Sequence, residues 1–397
     1  MFGWEFPPHN SGGLGVASSG LARALAKLGG ILTFVLPKKM PVSSDEFRIV
    51  YPEGGEIGVK PVNSILRAYA NPTGFNPSFD ENYGESLFDE VARYGREATT
   101  VAMREHPDVI HAHDWLSFKA GITAKRILKK PLVAHVHATE FDRTGGQHLN
   151  QQVYEAELEG FTEADCIITV SEFTKNVLVE RYGIAPEKIT VVHNGISHEE
   201  HRSLGTVAPM LNRLKKRANS IVLFVGRITI QKGPDYFVEL ARRVLQKNPH
   251  VYFVVAGSGD MERQMISLVA YHALSKHFLF TGFLRGEELN QVYRAADVTV
   301  MCSVSEPFGI IPLESILNGA PVLISKQSGV GEILKHSLKS DFWDIDDMAD
   351  KVLAVLKHQS LKGEMLLHSK REAKIATWDK AAKKCLRVYD NLLQHSV

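Results

Sequence analysis

The chain has 397 residues, 44% apolar and 23% charged, and its 46 basic and 45 acidic residues leave a net charge of +1. This length predicts two domains, this composition excludes a disordered chain, and the balanced charge excludes a field that would draw the protein onto nucleic acid or an anionic membrane. Three widely separated cysteines and the lack of a long apolar run predict a cytoplasmic protein without a disulfide framework or a spanning helix.

The first half alternates short β-rich runs with helical periods, the pattern of parallel βαβ units. A glycine-rich loop, "SGGLG" at 11–15, precedes the first helix, and the helix "SEFTKNVLVERYG" has Ser171 as its predicted N-cap and Gly183 as its predicted C-cap. The predicted strands are "ILTFVLP" (31–37), "DVIHAH" (108–113), "PLVAHVH" (131–137), "DCIITVS" (165–171) and "KITVVHNG" (188–195).

A polar, basic stretch at 198–220 has no regular hydrophobic period and is interpreted as a linker. The strand-helix alternation then resumes, with a helix predicted from about Pro234 to Gln246 and two amphipathic helices in the tail. The predicted strands are "SIVLFVGR" (220–227), "VYFVVAGSG" (251–259), "HFLFTGF" (277–283), "DVTVMCS" (297–303) and "APVLISK" (320–326). We therefore predict two α/β domains, residues 1–205 with 378–397 returning to them, and residues 206–377.

Two glutamates, Glu306 and Glu314, frame the run "SEPFGIIPLE". Pro312 suits a first helical turn, so Glu314 is predicted in that turn and Glu306 in the loop after strand "DVTVMCS". In an open parallel sheet the ligand crevice lies beyond the carboxyl ends of the strands, where this loop belongs. Three readings stay open from the residues alone: carboxylates that bind sugar hydroxyls, a glycosidase acid and nucleophile, or one surface glutamate and one that favours the helix dipole.

Two cations follow the first strand of the second half. Arg227 ends that strand and Lys232 lies five residues on, beside Gly226 and Gly233, where both would reach a diphosphate; each alone is equally well a solvated loop residue. Such cations would remove the need for a metal. The only D-x-D, at 344–346, precedes a helical period and is interpreted as an N-cap with dipole-favourable acids.

These motifs, in this order, resemble the retaining GT-B glycosyltransferases, in particular glycosyltransferase family 4 and the related glycogen synthases. The run 305–314 resembles the family's E-x7-E element, and "FVGRITIQKGPD" (224–235) resembles its G-R-x4-K-G stretch. "HNSGGLGVASSGLARAL" (9–25) is similar to its glycine-rich loop and helix, and "VVHNGIS" (191–197) to the strand that ends its first domain. The tail "TWDKAAKKCLRVY" (377–389) resembles the helix that crosses back to the N-terminal domain. The likeness spans almost the whole chain.

The resemblance implies two doubly wound Rossmann-like domains that face each other across a cleft and close on the substrates. It also implies that cations stabilise the leaving diphosphate, that Glu306 binds a sugar hydroxyl and that Glu314 holds the ribose hydroxyls. The catalytic candidates are His137, Arg227, Lys232 and Glu306. The donor-binding candidates are Gly12, Gly13, Leu14, Gly226, Gly257, Phe283, Leu284, Phe308, Gly309, Ile310, Ile311 and Glu314.

On the acceptor side, a single histidine after a strand is more often structural, but His137 matches the family's histidine that sits against the donor sugar. Two strands that end in "HAHDW" and "HVHATEFDR" supply the remaining candidates. The residues expected to line the acceptor path are His113, Asp114, Trp115 and Asp142, with Trp115 stacking on a sugar face.

The implied reaction transfers glucose, with retention, from ADP-glucose or UDP-glucose to an α-glucan, as in glycogen synthases, with no cofactor and no metal. Because His9, Asn10 and Ser11 stand where ADP-glucose-dependent synthases usually carry a lysine, the nucleotide stays open. A small-molecule or lipid acceptor is the alternative within the class, and a sugar-nucleotide epimerase is the alternative from another class. The expected partners are a nucleotide sugar and a sugar acceptor, without nucleic acid or membrane insertion.

Overall fold

A computed structural model describes residues 1–9, 12–52, 83–196, 208–215 and 219–394. The chain divides into two compact units, which we call unit 1 (Met1–Ser197 with Thr377–Val397) and unit 2 (His198–Ala376). The boundary predicted at residue 205 lies outside the described residues. The predicted α/β class with Rossmann-like parallel sheets is confirmed in both units.

Unit 1 is built on short parallel strands whose side chains are mostly buried. The strands are β1 (Thr33–Val35), β2 (Arg48–Val50), β3 (Ile110–His113), β4 (Leu132–Val136), β5 (Cys166–Thr169) and β6 (Ile189–Val191). Strands β3 to β6 pair in chain order, all parallel, and β1 pairs with β2. Phe2 bridges Val35 on one side and Ala112 on the other, which joins the two sets of strands.

Six helices among the described residues accompany these strands. They are α1 (Gly13–Lys27), α2 (Tyr83–Arg104), α3 (Trp115–Leu128), α4 (Glu140–Arg143), α5 (Gln151–Glu163) and α6 (Glu172–Tyr182). The predicted caps of α6 are confirmed, because the Ser171 side chain accepts a hydrogen bond from the Thr174 N–H and Gly183 is left-handed with φ +66°. The unit 1 core lies between β3 to β5 and helices α2, α3 and α5.

Unit 2 contains a six-stranded parallel sheet. Its strands are β7 (Ser220–Val225), β8 (Val251–Ala256), β9 (Phe278–Gly282), β10 (Val298–Met301), β11 (Val322–Ser325) and β12 (Leu338–Ser340). They lie in the order β9-β8-β7-β10-β11-β12. The chain therefore adds β8 and β9 on one side of β7, then crosses to β10 on the other side and adds β11 and β12 in the opposite direction. In such a sheet the ligand crevice lies at this switch, outside the carboxyl ends of β7 and β10.

Seven helices surround that sheet in the part of unit 2 that the structure describes. They are α7 (Ala208–Lys215), α8 (Pro234–Lys247), α9 (Glu262–Tyr271), α10 (Gly286–Ala295), α11 (Ile311–Leu317), α12 (Ile345–Lys357) and α13 (Gln359–Ile375). Two of them correct the sequence prediction. Helix α7 lies in the stretch interpreted as a linker, and its Leu211 is buried beside Ile221 and Leu223. It was missed because eight residues are too few to display a hydrophobic period. Helix α13 was missed because its buried residues include Ser369 and Ala373, which carry little hydrophobic signal.

The final helix, α14 (Trp378–Gln394), belongs to unit 1 and packs against α1. The Trp378 ring explains part of this contact: a Cβ at Gly20 of α1 would lie only 2.4 Å from it, so glycine is required at that crossing. Among the described residues, no helix has both the length and the hydropathy that a bilayer crossing requires.

Candidate active site

Two glycines bring the loops after β7 and β8 into contact. Gly226 and Gly257 both have positive φ, +134° and +155°, and a Cβ at Gly257 would lie 1.9 Å from the Gly226 carbonyl oxygen. No residue with a side chain fits there without moving the backbone. Arg227, a predicted catalytic cation, follows Gly226 directly and is partly buried. The carboxyl end of β7 is therefore shaped by backbone packing.

A third glycine seats the loop after β7 on the end of β10. Gly233 has φ +63°, and a Cβ there would lie 2.4 Å from the Cys302 carbonyl oxygen. The Val304 N–H donates to the Gln231 carbonyl at 2.9 Å, which holds the two loops together. These contacts place Lys232 beside the loop that carries Glu306.

Lys232 and Glu306 form a hydrogen-bonded ion pair across 74 residues of sequence. Their side chains are only 14% and 9% exposed, so little solvent screens the pair. Ser303 Oγ also donates to Glu306 Oε2 at 3.3 Å. Of the predicted catalytic residues, these two are in direct contact.

The backbone of Glu306 is held from both sides by the turn after β11. Its N–H donates to the Gln327 carbonyl at 2.9 Å, and its carbonyl accepts from the Gly329 N–H at 2.9 Å. Gly329 begins a short 3-10 turn. The carboxylate therefore projects from a fixed backbone, which reduces the entropy lost when a ligand binds.

Glu314 lies in the first turn of α11, as predicted, with Pro312 at its start. Tyr293 Oη donates to Glu314 Oε2 at 2.9 Å. Burial raises the pKa of Glu314, and this hydrogen bond opposes the rise. Sequence reasoning missed Tyr293, because nothing in α10 marks a tyrosine that reaches α11.

The other donor-side candidates in unit 2 also follow strand ends. Phe308 is buried, Gly309 is left-handed with φ +95°, and Ile310 and Ile311 begin α11. Phe283 is 52% exposed with the Arg285 guanidinium 4.8 Å from its ring centre, while Leu284 packs with the neighbouring apolar cluster. An exposed aromatic face of this kind is suited to stacking on a flat ring.

The D-x-D pair is confirmed as a helix start. The Asp344 carboxylate accepts from the Asp347 N–H at 3.1 Å as the N-cap of α12, and Asp346 pairs with Arg243 at 3.1 Å. Both acids therefore have structural partners.

In unit 1 the glycine loop opens α1, with Gly12 as an extended N-cap ahead of Gly13 and Leu14. The Gly15 N–H donates to the Glu5 carboxylate at 2.8 Å, and Glu5 is 1% exposed. A protein carboxylate thus already contacts this helix start, because the N–H groups of a first helical turn attract anions. Sequence reasoning missed Glu5, which lies among aromatic and proline residues with no motif of its own.

His137 and Asp114 lie together at the carboxyl ends of β4 and β3. Asp114 Oδ1 accepts from the His137 backbone N–H at 2.7 Å, and Asp114 has the strained angles φ 57° and ψ 169°. Burial raises the pKa of Asp114 to about 7, against the opposing effect of Arg143. Burial also lowers the pKa of His137 to about 3, so its ring is neutral near pH 7.

The remaining acceptor-side candidates are buried side chains of unit 1. His113 is 0% exposed, and Trp115 is 2% exposed with its ring 5.5 Å from that of Phe88. Asp142 is buried in a capping box with Thr139 at the start of α4. His113 contacts the ring of His137, whereas Trp115 and Asp142 are held by core and capping contacts.

Two family models match the chain, "Glycosyltransferase Family 4" over residues 11–200 and "Glycosyl transferases group 1" over residues 212–374. An uncharacterized glycosyltransferase of Methanocaldococcus jannaschii is 29% identical over 98% of this chain and 97% of its own length. Glycogen synthase of Mycobacterium tuberculosis is 29% identical over 84% of this chain and 78% of its own.

Solved structures resemble the whole chain. Sucrose-phosphate synthase from Thermosynechococcus elongatus has a TM-score of 0.78 at 19% identity and covers 99% of this chain and 98% of its own. Anabaena HepE, solved in complex with UDP-glucose, has a TM-score of 0.71 at 15% identity and covers 98% of both chains. At these identities the likeness is one of fold.

Proposed function

This chain belongs to glycosyltransferase family 4 and has the GT-B fold, and we propose that it transfers glucose from a nucleotide sugar to an α-glucan with retention of configuration. The observation that carries the proposal is the Lys232–Glu306 ion pair. It lies beyond the carboxyl ends of β7 and β10, where a sheet of this order binds ligands.

The proposed chemistry follows from the charge that develops when the glycosidic bond to the diphosphate breaks. Negative charge grows on the leaving oxygen, and a fixed cation that meets it lowers the barrier. Lys232 supplies that charge, Arg227 adds a second cation, and Glu306 holds the lysine until a sugar hydroxyl competes for the carboxylate. Glu314, oriented by Tyr293, accepts the ribose hydroxyls.

We propose that this reaction needs no added metal, because the two cations do the work that a divalent ion does elsewhere. Activity that survives dialysis against EDTA supports this part, and activity restored only by magnesium or manganese contradicts it. The three cysteines are unpaired thiols, which supports a reducing compartment such as the cytoplasm.

The acceptor has two candidates. The match to a mycobacterial glycogen synthase supports a glucan, and a small-molecule or lipid acceptor is the alternative. An epimerase, the candidate from another class, would interconvert the sugar nucleotide without any acceptor.

The test is nucleotide release from ADP-glucose and from UDP-glucose, each with glycogen, with maltooligosaccharides, with hexose phosphates or with no acceptor. We expect release that depends on glucan and falls at least about 100-fold in Glu306→Gln. Asp350→Asn, which removes an exposed ion-pair partner in the same unit, is the matched control and should behave as wild type. Nucleotide release that is stimulated by a hexose phosphate and not by glucan selects the small acceptor. An epimerised sugar nucleotide that forms without nucleotide release overturns the proposed transferase activity.

A further inference from the structure

Four histidines lie side by side on one face of the unit 1 sheet. His111 and His113 are alternate residues of β3, His135 lies in β4 and His137 follows β4 directly. His113 and His135 lie opposite each other in the two paired strands. Because alternate residues of a strand share a face, the period of two places all four together. Neighbouring rings have centroids between 4.3 and 5.2 Å apart.

Hydrogen bonds divide these rings into two pairs. His113 Nδ1 lies 2.8 Å from His137 Nε2. His111 Nε2 lies 3.1 Å from His135 Nδ1, and His111 Nδ1 lies 2.6 Å from the hydroxyl of Tyr389 on α14. The first pair therefore includes His137, one of the catalytic candidates, and the second is tied to the C-terminal helix.

Each ring of the first pair is neutral near pH 7. Burial, reinforced by the neighbouring His111, lowers the pKa of His113 well below its usual range, and burial lowers the pKa of His137 to about 3. A neutral imidazole carries one N–H and one lone pair. The hydrogen bond between the rings therefore has a proton on either His113 Nδ1 or His137 Nε2.

The surroundings of His113 decide between these two arrangements. Its Nε2 is buried and has no hydrogen-bond partner among the described residues. If His137 were the donor, His113 would carry its own proton on that isolated nitrogen. Buried N–H groups without a partner are rarer than under-satisfied acceptors, so the favoured arrangement protonates His113 on Nδ1 and leaves Nε2 bare.

We infer that His113 is a positioning residue, which fixes the ring of His137 and holds it with its proton on Nδ1. The adjacent Asp114 holds the backbone N–H of the same histidine at 2.7 Å. Consecutive residues of one strand end thus hold both the main chain and the ring of His137. This inference rests on the proposed function, and it replaces an acceptor contact for His113 with an indirect role.

A chemical consequence follows for His137. With Nε2 accepting from His113 and Nδ1 protonated, the ring offers the reaction a fixed hydrogen-bond donor to a hydroxyl or phosphate oxygen. It is neither a general base at Nδ1 nor, with its low pKa, a ready source of a proton. The rate should therefore show no titration of this histidine between about pH 6 and 8.

The first test reads the tautomer directly in the full chain labelled with 15N in the histidine rings. Two-bond proton-nitrogen correlations distinguish a protonated ring nitrogen from a bare one, and the His137 signal is assigned by its loss in His137→Gln. We expect a protonated Nδ1 in the wild type and a mixed state in His113→Phe. His113→Asn, which can still donate from its amide, should restore the wild-type signal.

His111→Phe is the matched control, because it removes a ring of the same strand and face without touching the His113–His137 hydrogen bond. It should leave the His137 tautomer unchanged. A wild-type His137 protonated on Nε2, or a signal unaffected by His113→Phe, would overturn the inference. One nitrogen each of His111, His113 and His135 lie within 4.8 Å of one another, so a stoichiometric zinc ion bound by these rings would overturn it as well.

The second test compares turnover with donor affinity. We expect His113→Phe to lower kcat about 10-fold or more, with the KM for the nucleotide sugar changed less than about 3-fold, because misplaced groups mainly cost transition-state contacts. His111→Phe should keep kcat within about 3-fold, and equal melting temperatures show that both fold. An unchanged kcat in His113→Phe contradicts the positioning role. If no donor is turned over while the tautomer is as expected, the proposed function fails and the hydrogen-bond assignment stands.

Discussion

Replacing Lys232 by alanine separates the structural and catalytic roles of the ion pair. The side chains of Lys232 and Glu306 are 14% and 9% exposed, so Lys232→Ala leaves a nearly buried carboxylate without its cation. Breaking a fully buried pair costs about 3–5 kcal/mol. Here Ser303 still donates to Glu306 at 3.3 Å, so we expect a loss of about 1–3 kcal/mol in the free energy of unfolding.

The effect on catalysis should be larger than the effect on binding. A fixed donor that meets developing charge contributes about 100-fold to 1,000-fold to kcat. Under the proposed function, the same lysine contacts the ground-state diphosphate, which has less charge to neutralise, so nucleotide affinity should fall by less than about 10-fold. The measurements are steady-state nucleotide release and calorimetric titration with the nucleoside diphosphate.

Two further variants make the result decisive. Lys232→Ala combined with Glu306→Gln removes the unpaired charge, so it should regain most of the lost melting temperature while its turnover stays low. Lys247→Ala breaks the Lys247–Asp350 pair, whose side chains are 61% and 68% exposed, and should change neither quantity. Equal losses in turnover and affinity would mean that the lysine only binds, and recovered turnover in the double variant would make its role structural.

Three other predictions address neighbouring features. Tyr293→Phe removes the donor to Glu314 and should raise the KM for the nucleotide sugar about 5-fold to 20-fold at unchanged kcat; an unchanged KM argues against the ribose contact. Gly257→Ala should lower the melting temperature more than Gly282→Ala, because both have positive φ but only at Gly257 would the Cβ meet an atom, at 1.9 Å. Because burial raises the pKa of Asp114 to about 7, the folded state keeps a proton that the unfolded chain releases above about pH 4. The stability of the wild type relative to Asp114→Asn should therefore fall between pH 4 and 7 in urea unfolding, and a difference independent of pH would refute the buried titration.

The predicted strands and strand-end loops agree with the structure because they depend on local signals. Apolar runs of four to six residues and the caps at Ser171, Gly183 and Asp344 are short-range features that neighbouring residues set. The failures share the opposite property. Helices α7 and α13 are stabilised by a few buried contacts, such as Leu211. Helix α7 is too short to display a period, and the sequence of α13 carries a weak one.

The partners of the candidate site residues were beyond prediction for a similar reason. Nothing near Glu314 indicates Tyr293, nothing near Gly15 indicates Glu5, and the burial of Trp115 follows from packing against Phe88. Each of these contacts joins residues of different segments, and such contacts depend on where whole elements pack.

By itself, the sequence determined the fold class, ten of the twelve described strands and the loops that carry Lys232, Glu306 and Glu314, because periodicity and caps depend on adjacent residues. The short strands β2 and β12, of three residues each, were not predicted. Tertiary structure alone decided that Lys232 forms an ion pair with Glu306, 74 residues away, and that the ring of His113 is hydrogen-bonded to that of His137. The physical reason is that strand order and sheet register, which no single segment encodes, set the distances between side chains from different βαβ units.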